Sequence, residues 1–197
     1  FFNKKEIKAY NGYNKKTVYQ NKNSEAIAVQ LNKAHDFLMF PSIDSIWALR
    51  KKLYRDKTFQ IIHEVSNTSS KGYHELQLTL VDTASTRGIL IKNVLKDGLL
   101  YEIKAVIDTT AKPSKFITDF YDHFTPMDTV IGKSLLADKS PEFFKALRNN
   151  DSIALNGYPF IHFDAKHIDS LKYYISQFEF KEAQKPIQAY LIQELAE

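Results

Sequence analysis

The chain is 197 residues long, 44% hydrophobic, 13% aromatic and 25% charged, with a formal net charge of +4. Those proportions belong to a folded globular protein and exclude a disordered or fibrous one, and the length allows one well-buried domain with a small helical extension. The absence of cysteine excludes disulfides, thiolate metal sites and cysteine nucleophiles together, and leaves the redox compartment open.

Charge is unevenly placed. Residues 1–57 hold 12 Lys/Arg against 5 Asp/Glu, net +7, whereas residues 58–197 hold 15 against 18, net −3. A basic surface attracts nucleic acid, anionic lipid or an acidic partner. Here the lysines are scattered among Asn, Tyr and Gln with no nucleic-acid module around them, so a solvated surface is the expected use and no nucleic acid is expected as a partner. The first residues, FFNKKEIK, contain neither an initiator Met nor a signal core, and no run approaches the roughly 20 apolar residues of a membrane helix. The last ones, PIQAYLIQELAE, stop inside a helical pattern with no capping Gly or Asn. A longer parent protein is expected from both ends. The final helix is then expected to leave Ile187, Tyr190, Leu191 and Leu195 exposed for the rest of that chain, or for a weak homodimer.

In chain order, residues 1–23 read as a strand-and-turn segment rich in Lys, Asn and Tyr. Ser24 offers an N-cap, and Ile27, Leu31, Ala34 and Leu38 recur at helical spacing up to Pro41, which predicts a first helix. A second is predicted from Ser42, with Ile43, Ile46, Trp47, Leu49 and Leu53 as its apolar stripe and Arg50, Lys51, Lys52 and Arg55 on a solvated back. From Phe59 the period becomes two, the signature of half-buried strands. Phe59, Ile61 and Val65 alternate in one strand, and Leu76, Leu78 and Leu80 in the next. Asp97-Gly98 between the apolar runs RGILIKNVLK and LLYEIKAVID predicts a hairpin. The second of those runs puts Leu99, Tyr101, Ile103, Ala105 and Ile107 on one face. Gln77, Thr79, Glu102 and Lys104 are expected to face water. After Pro113-Ser114, Phe116, Phe120 and Phe124 predict a helix that closes the core over the sheet. Three further helices are predicted over Ser140–Asn149, with Pro141 at its first position, over Asp164–Phe178, and from Pro186 onward.

Four groups of residues raise a question of chemistry. MDTVIGKSLL contains Gly132-Lys133-Ser134, which could pass for the end of a phosphate loop, but Met127 stands where the first glycine is needed and a Phe-rich helix precedes it in place of a strand, so no nucleotide site is expected. The apolar run LTLVD ending at Asp82 precedes the supposed loop and adds nothing to it. FIHFDAKH brings His162, Asp164 and His167 close in sequence. Imidazole and carboxylate suit a divalent metal, but a five-residue separation of the histidines is off the i,i+4 spacing of one helical face, and Asp164 suits an N-cap. The neighbours His63-Glu64, His74-Glu75 and Asp122-His123 invite an acid–base reading, yet adjacent strand residues point to opposite faces. His63 is expected to share the face of Phe59 and Ile61 as a core-edge histidine. Tyr10, Tyr13 and Tyr19 offer rings for stacking on a ligand or a partner. Neither GxSxG nor HExxH occurs.

The succession of GILIKNVLKDGLLYEIKAVID and KFITDFYDHF has a hairpin whose second strand carries a Tyr just after the turn, followed by a helix framed by phenylalanines. It resembles the end of the PsbP-like α/β fold over roughly residues 59–125. Residues 140–197 look similar to the first helices of the helical repeats that follow such domains in modular bacterial proteins. The resemblance implies an antiparallel sheet flanked by helices and an envelope setting, with the periplasm or cell surface as the compartment; it carries over no catalytic residue.

The expectation is therefore an α+β fold. Residues 1–130 form an antiparallel sheet of about four to six strands flanked by helices, and residues 131–197 form a helical extension. Its core is expected to include Leu76, Leu78, Leu80, Ile89, Ile91, Tyr101, Ile103, Phe116 and Phe120. The expected role is a non-catalytic binding or scaffold module with a protein partner and no cofactor. The alternative is a metal-dependent hydrolase using His162, Asp164 and His167.

Overall fold

The computed structural model describes residues 12–55 and 58–196. Strands β1 (Tyr13–Gln20), β2 (Ala26–Lys33), β3 (Phe59–Thr68), β4 (His74–Asp82), β5 (Arg87–Lys96) and β6 (Leu99–Asp108) make one antiparallel sheet in the order β1-β2-β6-β5-β4-β3. Helix α1 (Ile43–Tyr54) lies on one face and α2 (Lys115–His123) on the other. The chain continues through α3 (Ser140–Arg148), α4 (Ser152–Gly157), α5 (Ile168–Gln177) and α6 (Lys185–Ala196), with short 3-10 turns between them. The fold is thus α+β with a C-terminal helical stretch. Among the described residues no helix is long and apolar enough to cross a membrane.

The helix expected to start at Ser24 is a strand. Ile27, Val29 and Leu31 pair with Ala105, Ile103 and Tyr101, and Ser24 takes a left-handed φ of 65° in the β1–β2 turn. A spacing of four satisfies a period of two as well as one of 3.6, and cross-strand pairing with β6 decides between them. That turn is held by Asn21, whose side-chain oxygen accepts the N–H groups of Asn23 and Glu25 at 2.9 and 3.1 Å.

Both sheet faces are packed, so the expected single core is two layers. Leu76, Leu78 and Leu80 of β4 and Ile91 of β5 meet Ile46, Trp47 and Tyr54 of α1. Ile27, Ile103 and Ala105 meet Ile117 of α2 on the opposite face, with Phe116 and Phe120 only partly buried beside them. The face taken to be wet is wet only in part: Glu102 is buried and lies under α1, while Gln77 and Thr79 lie on the α2 side. There the ammonium of buried Lys92 lies 3.0 Å from Glu75 and donates to the Tyr121 carbonyl at 2.9 Å. The Tyr121 hydroxyl in turn donates to the carbonyl of Leu90 at 2.7 Å.

The helical stretch has its own core, in which Phe143, Leu147, Ile161, Leu171, Ile187 and Leu191 are almost wholly buried. This corrects the expectation of an exposed C-terminal stripe. Ile187 and Leu191 are 0% exposed, and Tyr190 donates to the Ile161 carbonyl. The short helix α4 had no sequence signal, and it brings Gly157 against the rings of Phe37 and His35. A Cβ at Gly157 would lie 2.3 Å from Phe37 Cδ2. The segment from Ala34 to Phe40 joins the two cores. Phe37 and Met39 pack among the helices, while Ala34, Leu38 and Phe40 pack on the sheet side.

Candidate functional site

The site begins with the orientation of α1. Ser42 caps it by accepting the N–H of Ser45 at 3.2 Å, and Ile46, Trp47 and Tyr54 are buried beneath it. Ile43, Ile46 and Trp47 of the expected stripe pack on the core, and its other two residues are a correction. Arg50 turns inward, its side chain only 15% exposed, and Leu49 and Leu53 turn outward at 45% and 63% exposed. The reason is a charge partner in the sheet: Arg50 forms an ion pair with the buried carboxylate of Glu102 on β6.

Around Glu102 the polar groups are dense. The Tyr54 hydroxyl donates to Glu102, Arg50 Nη2 donates to the Tyr54 hydroxyl at 2.6 Å, and Arg50 Nε donates to Asn93 Oδ1 at 3.2 Å. Lys104 Nζ lies 2.6 Å from the other oxygen of Glu102 and 5.1 Å above the Tyr54 ring centroid. Burial, with Arg50 beside it, holds the Lys104 ammonium below the usual lysine range. Burial raises the Tyr54 phenol against the opposing pull of Arg50 and Asn93. One buried amide nitrogen, Asn93 Nδ2, has no partner among the described residues.

A groove of about 430 Å³ lies between α1 and strands β2 and β6. Its polarity is graded along its axis. At one end stand Leu38, Phe40, Leu100 and Leu135; at the other, Arg50, Glu102 and Lys104, with Leu49 and Leu53 among the lining residues from α1. Gln30 and Asn32 border the β2 side, their amides joined at 3.3 Å and Asn32 tied to Asn14 on the outer strand at 2.8 Å. No histidine, serine or cysteine is among the described residues that line it. Volumes of this size and mostly apolar lining are those of small-molecule sites.

The residues singled out by the sequence lie elsewhere. Asp164 and His167 come together, but His162 does not join them: its ring is exposed and 3.5 Å from Glu194. His167 Nδ1 lies 3.0 Å from the Asp164 backbone nitrogen and 2.9 Å from Asp164 Oδ1, and Nε2 stands 3.2 Å from both oxygens of Asp138. Burial pushes the Asp138 carboxyl up, but the N–H and hydroxyl of Ser140 and the His167 imidazole outweigh it and hold it at about 2. Asp164 caps the 3-10 turn Ala165–His167. Among the described residues no group of three or more His, Asp or Glu is arranged to hold a metal ion.

Gly132-Lys133-Ser134 runs beside the β5–β6 turn. Gly98 N–H donates to the Ile131 carbonyl at 3.2 Å and Leu135 N–H to the Asp97 carbonyl at 3.3 Å. A Cβ at Gly98 would sit 3.0 Å from the backbone of Lys133, so glycine is what permits this approach.

His63 does not share the face of Phe59 and Ile61. A bulge between Ile61 and His63 shifts the register, leaving His63 exposed and opposite Thr79, beside Asp122 at a small cleft of about 180 Å³. Glu64 lies 2.7 Å from Lys51, His74 Nδ1 is 2.9 Å from the Thr68 hydroxyl, and His123 Nδ1 is 2.8 Å from the Asp119 carbonyl. Of the N-terminal tyrosines, Tyr19 sets its ring 5.2 Å from that of Phe120, and Tyr10 falls outside the described residues. No protein-family model matches the chain, and no curated protein is significantly similar to it.

Proposed function

We propose that the chain is a non-catalytic binding or scaffold module of a larger, envelope-associated bacterial protein, and that the groove beside α1 is where it binds. The observation that carries the reading is the phase of α1, which sets its central cation on a buried carboxylate and leaves Leu49 and Leu53 at a graded groove. Exposed leucines beside a concave apolar surface are a recognition feature rather than a folding one. Glu102, the groove's only carboxylate among the described lining residues, is held by Tyr54, Arg50 and Lys104, which suits a fixed electrostatic contact better than proton transfer. The envelope setting and the protein partner, either the rest of a parent chain or an envelope neighbour, rest on the PsbP-like layout of residues 59–125.

The test is a neutral apolar fluorophore, N-phenyl-1-naphthylamine, titrated onto the folded 197-residue chain. A saturable one-to-one rise in fluorescence that disappears in Leu49→Asp/Leu53→Asp is expected. Both leucines are exposed, so the double variant keeps its fold. Absence of saturable binding overturns the groove as a binding site.

A further inference from the structure

The groove's charge goes further than its apolar lining. Two cations, Arg50 and Lys104, share the carboxylate Glu102, so among the described lining residues the polar end holds one positive charge more than it neutralises. Lys104 is half-buried and its ammonium is fixed over the Tyr54 ring, so that charge stands at a defined point instead of sweeping through solvent. Leu38, Phe40, Leu100 and Leu135 line the other end. Successive same-face residues of a strand stand about 6.6 Å apart, which puts Lys104 two such steps along β6 from Leu100, roughly the length of a medium acyl chain.

Resting on the groove as the binding site, we infer that its ligand is a single-chain anionic amphiphile, with the carboxylate head paired to Lys104 and Arg50 and the chain laid toward Leu100 and Leu135. Glu102 repels an anion, and its part is to hold both cations in place; their excess charge decides the sign of the head that is accepted. A cationic amphiphile meets two like charges there and is disfavoured.

The experiment displaces bound N-phenyl-1-naphthylamine from the full chain with decanoate and with decyltrimethylammonium, both below their micelle-forming concentrations. Decanoate is expected to compete at a concentration at least tenfold lower. Extending the chain from eight to ten carbons is expected to tighten competition on the order of tenfold, since two more methylenes leave water. Lys104→Met should abolish the preference between heads, and Lys104→Arg, which keeps the charge, should retain it. Equal competition by the two heads overturns the inference while leaving the groove intact as a binding site, and so does a preference that survives in Lys104→Met. Failure of the fluorophore to bind removes the groove reading and this inference together.

Discussion

The sheet and the C-terminal helices solve the problem of burial in opposite ways. The sheet puts charges under its helices: Glu102 with Arg50 on the α1 side, and Lys92 with Glu75 on the α2 side. The helices bury chiefly rings and aliphatic chains, and their buried polar side chains, Lys139, Ser140, His167 and Gln184, lie at helix ends and turns. Phe143 meets Phe37 edge-on at 5.5 Å, and Phe144 stacks on Tyr174 at 4.1 Å. Apolar packing supplies stability in proportion to area and says little about direction, whereas a buried ion pair contributes little net stability and demands one geometry. The helices are therefore the region that holds by volume. In the sheet, charge fixes which face of α1 points down and so leaves a groove open beside it.

This contrast predicts different responses to substitution. Phe143→Ala should cost the most, on the order of 4 kcal/mol in urea unfolding, because a wholly buried ring leaves a cavity among other rings. A loss under 1 kcal/mol would mean that the helices repack freely. Lys92→Met should cost about 3 kcal/mol by stranding Glu75, and Lys92→Met/Glu75→Leu should recover most of that. No recovery in the double variant would show that the bond from Lys92 to the Tyr121 carbonyl matters more than the ion pair.

Lys139, where the two regions meet, tests the boundary between them. It is buried and donates to the Leu38 carbonyl, and burial pulls its ammonium down to about 8. In the unfolded chain it titrates near 10.4. Between pH 8 and 10 the unfolded state therefore binds more protons, and this lysine makes stability rise with pH; below pH 8 its cost is fully present. Subtracting the profile of Lys139→Met isolates that rise, on the order of 2 kcal/mol over the window, from the opposing titration of the tyrosines. Parallel profiles would rule out the shifted lysine. The smallest effect belongs to Asp138→Ala, about 1 kcal/mol, since the lost bonds to the Ser140 N–H and hydroxyl are partly exposed. The wild type should shed that increment only as pH falls from about 4 toward 2, and a difference persisting unchanged at pH 2 would contradict it.

Local signals in the sequence are legible where a local cause acts. Asp97-Gly98 makes the hairpin, Ser42 and Ser114 cap α1 and α2, and Leu76, Leu78 and Leu80 alternate into the core. What escaped was set by distant partners. β2 is a strand because β6 pairs with it, and the bulge at Ile61/His63 turns half of β3 over. Arg50 turns inward because of a glutamate 52 positions later. The groove is made wholly of such pairings, so no run of residues announces it.

The alternation of Ala34–Phe40 between the two cores has a consequence for the order of events during synthesis. Phe37 and Met39 emerge roughly a hundred residues before Phe143, which shares their cluster and meets the Phe37 ring edge-on, and such long-range contacts form late. In the interval Leu38 and Phe40 can already dock on the sheet, where the Phe40 N–H awaits the carbonyl of Leu135. The sheet thereby presents Phe37 and Met39 as a template on which the helices condense. The last third of the chain, which looks like an appendage, is laid down on a foundation that precedes it in the sequence.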